Sequence, residues 1–232
     1  MANSTLAMQV ATIFKEAWAT RAGQKVPEPN NLKLGNDAIE FDAATILYAD
    51  LTGSTKLVDA ESWMFAAEIY KAYLHCAATI IRTEDGSIVS YDGDRIMGVF
   101  IGKAQATLAA KAGLKINYAV QEIINPALTA QYPNRSFIVS QVVGIDTSPV
   151  RAARTGVRGD NDLVWVGRAA NYAAKLTELK SVEKTWMTKA TFDRLADDAR
   201  LGGPNNRPMW KAYKWTSMNN QSIYGSTWRM SV

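Results

Sequence analysis

The chain of 232 residues carries a single cysteine, Cys76, and a single histidine, His75. A disulfide within the chain is therefore impossible, and a zinc site built from Cys and His has too few ligands to form. Cys76 falls inside a helical pattern, where it reads as a small core filler. No apolar run reaches the length of a membrane span. The start, Met1-Ala2-Asn3-Ser4-Thr5, lacks both the basic head and the long apolar stretch of a secretory signal. The expectation is a cytoplasmic protein. Internal repeats and low-complexity tracts are missing as well. Charge of either sign is in short supply: 26 Lys and Arg against 22 Asp and Glu leave a net +4. That balance suits an anionic small substrate and falls far short of a nucleic-acid stripe, so neither a nucleic-acid nor a membrane partner is expected.

What is present is an ordinary globular composition, 47% hydrophobic and 21% charged. Ser4 or Thr5 is placed to cap a helix running toward Ala19, with Leu6, Val10, Ile13, Phe14 and Trp18 on one face. Pro27 and Pro29 break the chain into a polar connector, which divides it into an N-terminal helix and linker (1–42) and a main domain (43–232). The run AATILYA (43–49) predicts a strand ending on Asp50, followed by the turn Leu51-Thr52-Gly53-Ser54-Thr55 and a helix over 60–83. Short strands at 87–90 and 95–101 flank Tyr91-Asp92-Gly93-Asp94 as a hairpin. A helix is predicted over 104–123 and a buried strand over 136–145. A Gly- and Arg-rich stretch follows through Arg151, Arg154, Gly156, Arg158 and Gly159, and then a strand over 163–166. Gly167 opens a helix carrying Asn171 and Lys175. Hairpins mixed with helices predict one α+β domain rather than a purely parallel sheet.

Asp50 ends a strand and Asp94 sits at a hairpin tip. If those strands are neighbours, the two carboxylates converge beside a Gly-Ser-Thr turn. Hard oxygen ligands in that setting suit Mg²⁺ or Mn²⁺ carrying a triphosphate. The small side chains of Gly53, Ser54 and Thr55 let backbone N–H groups approach phosphate oxygens. Taken singly, an Asp at a strand end is an ordinary cap, and Asp92-Gly93 an ordinary turn. Together, with strands on both sides, they point to a shared cation.

The segment Ile46 through Thr55 resembles the first metal motif of the class III nucleotide cyclases, and Gly93-Asp94, with Ile96, Met97, Val99 and Phe100 after it, resembles the second. Val143 to Thr147 is similar to that family's later strand, and Val166 to Leu176 to its transition-state helix. The resemblance spans roughly Ala43 to Lys189, with the matches in family order. It implies a sandwich with a mixed, mainly antiparallel sheet, flanking helices and an N-terminal helical appendage. It also implies two divalent cations, Mn²⁺ or Mg²⁺, held by Asp50, Asp94 and the backbone carbonyl of Leu51. Thr52, Gly53, Ser54 and Thr55 would cradle the phosphates and Asn171 would orient the ribose. Lys175 stands where the family places an Arg, keeping the charge and losing the bidentate fork. The resemblance further implies a homodimer in which the acids of one chain meet Asn171 and Lys175 of the other. For the triphosphate tail, Arg168, Lys211 and Lys214 are the candidates.

Purine cyclases of this family carry a Lys four residues before the second metal Asp and an Asp seven before the helix Asn. Here those positions hold Ser90 and Val164. A site lacking both hydrogen-bonding partners suits a different base. The sequence is most similar to the pyrimidine cyclases of the bacterial Pycsar antiphage systems, whose cyclic UMP or cyclic CMP activates a separate effector protein. Tyr48, Ser90, Tyr91 and Arg95 are the candidate pocket. The expected activity is conversion of UTP to cyclic UMP and pyrophosphate. The alternatives are a cytidylate cyclase, a purine cyclase, and an inactive cyclase-like module that binds nucleotide or dimerises.

Overall fold

The computed structural model describes residues 2–232, with side chains from Thr5 onward. Helix α1 (Ala2–Lys15) begins before Ser4 and Thr5, so the expected N-cap does not form there, and the side chain of Ser4 lies outside the described residues. The helix also ends before Trp18, and its stripe of Leu6, Val10, Ile13 and Phe14 is exposed rather than packed on the main body. Asn36 pins its C-terminal end, donating through Nδ2 to the carbonyls of Ile13 (2.9 Å) and Glu16 (2.6 Å). Strand β1 (Ala19–Ala22) then pairs in parallel with the start of β2 (Asp37–Leu51). The strand expected at 43–49 is thus longer at both ends, and the line between 42 and 43 falls inside it.

After the turn at Gly53 the expected single helix is two, α2 (Ser54–Ala60) and α3 (Trp63–Thr83). Ser62 separates them because its hydroxyl accepts from the amide of Phe65 and starts α3 afresh. β3 (Ser87–Asp92) and β4 (Arg95–Phe100) form the predicted hairpin. α4 (Gln105–Tyr118) runs through a π turn at Ala119–Ile124 into α5 (Asn125–Gln131), past the expected end at 123. The apolar run at 136–145 becomes strand only at its end. Its first part is held by Asn125, whose side chain donates to the Val139 carbonyl (3.0 Å) and accepts from its amide (2.8 Å). The true strands are β5 (Gln141–Val157) and β6 (Asp160–Gly167), which absorb the Gly- and Arg-rich stretch as a long hairpin. The remaining elements are α6 (Arg168–Leu176), β7 (Thr185–Thr188), α7 (Lys189–Phe192), α8 (Asp197–Arg200), the small ladder β8 (Leu201–Gly202) with β9 (Arg207–Pro208), β10 (Lys211–Trp215) and β11 (Gln221–Ser226).

The main sheet runs β10-β11-β7-β5-β2-β4-β3, with β1 added to β2 and β6 to β5. Among the described residues only the β1–β2 and β5–β7 pairings are parallel, giving the mixed, mainly antiparallel sheet that the resemblance implied. Side chains alternate across it. Leu47, Ala49, Leu51, Ile96, Phe100, Val143 and Ile145 join α3 and α4 in one core. Ile46, Met97, Val99, Val150 and Ala152 join Ala169 and Ala173 of α6 in another, on the opposite face. The register shift between Phe41 and Ala44 lets Ile39 and Phe41 share the α6 face with Ala44 and Ile46.

Where β1 and β2 pair, Asp37 is almost fully buried. Burial alone would raise its carboxyl pKa. The Lys33 amide (2.8 Å) and the Arg21 guanidinium outweigh that and hold it below its ordinary value. A depressed folded-state pKa contributes stability above the unfolded-state pKa, and the contribution disappears as pH falls through the folded-state value. Asp37→Asn is expected to lower Tm at pH 7, and the deficit should shrink as pH falls through the carboxylate range. Thermal melts across pH check this, and a deficit of constant size would contradict it.

Candidate active site

Antiparallel register sets the site. Asp50 of β2 lies opposite Arg95 of β4, and Asp94 immediately precedes that strand, so the two acids converge at one end of the ladder as expected. By alternation Asp50 faces α6, in the row of Ile46 and Tyr48, while Asp94 lies in the turn immediately before β4 with its Oδ2 buried. Arg95 Nη2 donates to Asp50 Oδ2 at 3.3 Å. Burial pushes the Asp50 carboxyl above its ordinary pKa. The charge of Asp94 adds to the rise, while Arg95 pulls against it. Among the described residues no cluster of three or more His, Cys, Asp or Glu side chains could hold a metal. The available donors are two carboxylates and the Leu51 carbonyl. This all-oxygen set fits a hard divalent cation whose remaining ligands come from substrate phosphates or water.

Asp50, Leu51, Thr52 and Gly53 line a cavity of about 390 Å³. Gly53 has φ +80°, a left-handed conformation that L side chains rarely adopt, and nothing lies near its missing Cβ. It occupies the N-cap of α2 and offers no side-chain cap, so the first amides of Ser54 and Thr55 are not claimed by a capping side chain. The opposite wall contains Thr177, Glu178, Lys180, Ser181 and Lys184.

Lys180 and Lys184 are absent from the sequence-derived candidates. Lys184 arrives through two pairings: Leu51 lies opposite Gln141 on β5, and the Val143 amide bonds the Lys184 carbonyl at 2.8 Å. Only the order of the strands reveals that proximity, although a lysine just before a strand was visible. Arg168, considered for the triphosphate, is committed elsewhere. Its guanidinium grips Asp146 at 3.0 and 3.2 Å and the Thr147 carbonyl at 2.9 Å. Asp146 is fully buried, and burial raises its pKa against the pull of Thr188 and Arg168. Lys211 and Lys214 sit on the exposed strand β10, outside the cavity lining, with Lys211 over the Tyr213 ring and Lys214 bonded to Ser222.

Three of the four pocket candidates come together. Tyr48 and Ser90 both lie opposite Met97, one on each side of β4, so the three residues form a row on the α6 face. Asp50, Arg95 and Asp92 form the next row. The Arg95 guanidinium stands 5.8 Å from the Tyr48 ring centroid. Burial raises the Tyr48 phenol pKa, with Arg95 pulling it down and Asp92 pushing it up. Tyr91 pairs with Ile96, so it faces the other side and is exposed. Val164 is partly exposed on β6.

Asn171 and Lys175 lie on the solvent side of α6, and the Lys175 ammonium points to the Met218 sulfur at 3.9 Å. The other side of α6 lies so close to β5 that a Cβ on Gly144 would meet the Ala173 carbonyl oxygen at 2.1 Å. The Ser148 hydroxyl accepts from the Ala169 amide at 2.9 Å and satisfies the start of the helix.

No protein-family model matches the chain. It is 49% identical over 221 residues to the uridylate cyclase of Xanthomonas perforans, covering 95% of this chain and 94% of that one. To the uridylate cyclase of Burkholderia cepacia it is 48% identical over 224 residues, covering 96% of each. Solved structures share the fold at lower identity. The adenylyl cyclase CyaB from P. aeruginosa superposes with a TM-score of 0.67 at 17% identity, over 82% of this chain and 95% of that one. The guanylate cyclase domain of RhGC from Catenaria anguillulae, in complex with GTP, gives 0.66 at 16% identity, over 82% and 99%.

Gly144 provides a direct check on how α6 is held. Gly144→Ala must push the helix off the sheet, and overpacking of this kind costs about 1–3 kcal/mol. A lowered Tm is expected, together with a loss of any activity that depends on Asn171 and Lys175. An unchanged melt would show that the helix approach is looser than the structure has it.

Proposed function

The chain belongs to the uridylate cyclases, nucleotide cyclases of the class III fold, and from that premise we propose that it closes UTP into 3′,5′-cyclic UMP with release of pyrophosphate. The reading is supported above all by the convergence of Asp50 and Asp94 beside the Gly53 turn. Asp50, Asp94 and the Leu51 carbonyl would hold two Mn²⁺ or Mg²⁺ ions, which when bound neutralise triphosphate charge and acidify the ribose 3′-hydroxyl. Gly53, Ser54 and Thr55 present backbone amides to the β- and γ-phosphates, while the Thr52 amide is bonded to the Ser140 carbonyl at 2.8 Å and leaves that residue its hydroxyl. Lys184 and Lys180, on the facing wall, supply positive charge to the same phosphates. The 3′-oxygen attacks the α-phosphorus, the bond to the β-phosphate oxygen breaks, and pyrophosphate departs. The row of Tyr48, Met97 and Ser90 with Arg95 beside it offers an aromatic face, a hydroxyl and a cation to the base. An acceptor-rich pyrimidine such as uracil matches the cation.

Asn171 and Lys175 face away from the acids of their own chain, so each site takes them from a second copy in a two-fold dimer. Asn171 orients the ribose, and Lys175 offsets charge building on the α-phosphate. The product then acts on a separate effector in antiphage defence, a role supported by the resemblance to the Pycsar cyclases.

Purified protein with Mn²⁺ and each of the four triphosphates, product identified by mass, is expected to yield cyclic UMP from UTP. Asp50→Ala and Asp94→Ala should each remove at least about 99% of turnover, as loss of a transition-state contact does. Cyclic CMP as the main product would move the assignment to cytosine, and a purine product alone would overturn it. The shared site makes a separate claim. Mixing inactive Asp50→Ala and Asn171→Ala proteins should restore about one quarter of wild-type activity, because half the dimers become mixed and each keeps one intact site. No recovery after verified subunit exchange would place the whole site in one chain.

A further inference from the structure

Tyr73 lies on the face of α3 that packs against the sheet, in line with Phe65, Ile69, Ala77 and Ile80. It is fully buried, and it is the one residue with a hydroxyl among the buried positions of that helix. It belongs to the same core as Ala49 and Leu51, which flank Asp50, and Ile96, two residues after Asp94. Asp94 lies in the turn that immediately precedes β4, within electrostatic reach of the Tyr73 phenol.

Two polar atoms are stranded in this region. The Tyr73 hydroxyl is buried without a hydrogen-bond partner, and so is Asp94 Oδ2. A donor and an acceptor left unpaired within electrostatic reach of each other are each costly, and a short approach would satisfy both. Burial, together with the charges of Asp50 and Asp94, pushes the Tyr73 phenol well above its ordinary pKa. Phe65, Ile69 and Ala77 have nothing to offer a carboxylate. A tyrosine at this one position gives the metal site a donor from beneath.

We propose that Tyr73 is a positioning residue of the metal site: its hydroxyl donates to the inner oxygen of Asp94 and thereby aims the outer oxygen at the cation. This rests on the cyclase reading for the identity of the site, but not on turnover for its test. Hydrogen bonds to ligating carboxylates commonly change metal affinity by about 10-fold or more.

Tyr73→Phe keeps the ring and removes only the hydroxyl. Mn²⁺ alone, titrated into full-length protein and followed by electron paramagnetic resonance, is expected to bind about 10-fold more weakly to this variant. The double variant Tyr73→Phe/Asp94→Asn should bind Mn²⁺ no more weakly than Asp94→Asn alone, since the hydroxyl acts through that carboxylate. Unchanged Mn²⁺ affinity in Tyr73→Phe would make the hydroxyl a passive core group and overturn the proposal. Additive losses in the double variant would also overturn it, as would a wild-type protein that binds no Mn²⁺. A wild-type protein that binds Mn²⁺ but converts no triphosphate would defeat the cyclase reading while the Tyr73 comparison still stood.

Discussion

The antiparallel register of β2 against β4 is the constraint on which the rest of the active end depends. It sets Asp50 opposite Arg95 and Tyr48 opposite Met97. With period-two alternation, that choice sorts every nearby side chain to one face or the other. A slip of one residue would send Asp50 into the α3 core and Leu51 toward α6. The apolar rows on both faces make such a slip expensive, so the register that packs the cores also aims the chemistry.

The α6 half of the proposed site depends on closeness rather than register. Helix α6 lies on β5 at a point where Gly144 provides no side chain, and its first residue, Arg168, is tied to the buried Asp146. Packing and an ion pair thus fix the angle at which Asn171 and Lys175 are presented. These arrangements oppose stability locally. Burial raises the pKa of both Asp50 and Asp146, so in each case the folded state disfavours the ionised form. Sites that hold charge ready in a poorly solvated place commonly carry such a cost.

Much of this was legible in the sequence. The strand into Asp50, the Gly53 turn, the hairpin at Asp94 and the helix with Asn171 all announced themselves through local signals: apolar runs, small-residue turns and helical spacing. The failures have physical reasons. The apolar stripe of α1 marked one face of a helix, and Leu6, Ile13 and Phe14 on it are exposed, because periodicity reports amphipathicity and not what covers it. Residues 151–159 stood out only as a Gly- and Arg-rich stretch with no strand signal, and pairing with β6 overrode local propensity. Lys184 was missed because its place beside Leu51 follows from the β5–β7 pairing, a non-local fact. Arg168 was over-read because its partner, Asp146, lies 22 residues away on another strand.

Tyr48, Ser90 and Arg95 sit on the sheet surface, in a row and a half that neither the phosphate turn nor the α6 contact requires. On the proposed reading, the parts that would handle phosphate are built from backbone, glycine and strand-end acids, and those that would touch a base are side chains on three adjacent strands. A fold arranged this way can exchange one messenger alphabet for another by point changes while its reaction machinery stays in place. That separation offers a physical reason why adenylyl, guanylyl and uridylate cyclases can share one architecture at such low identity.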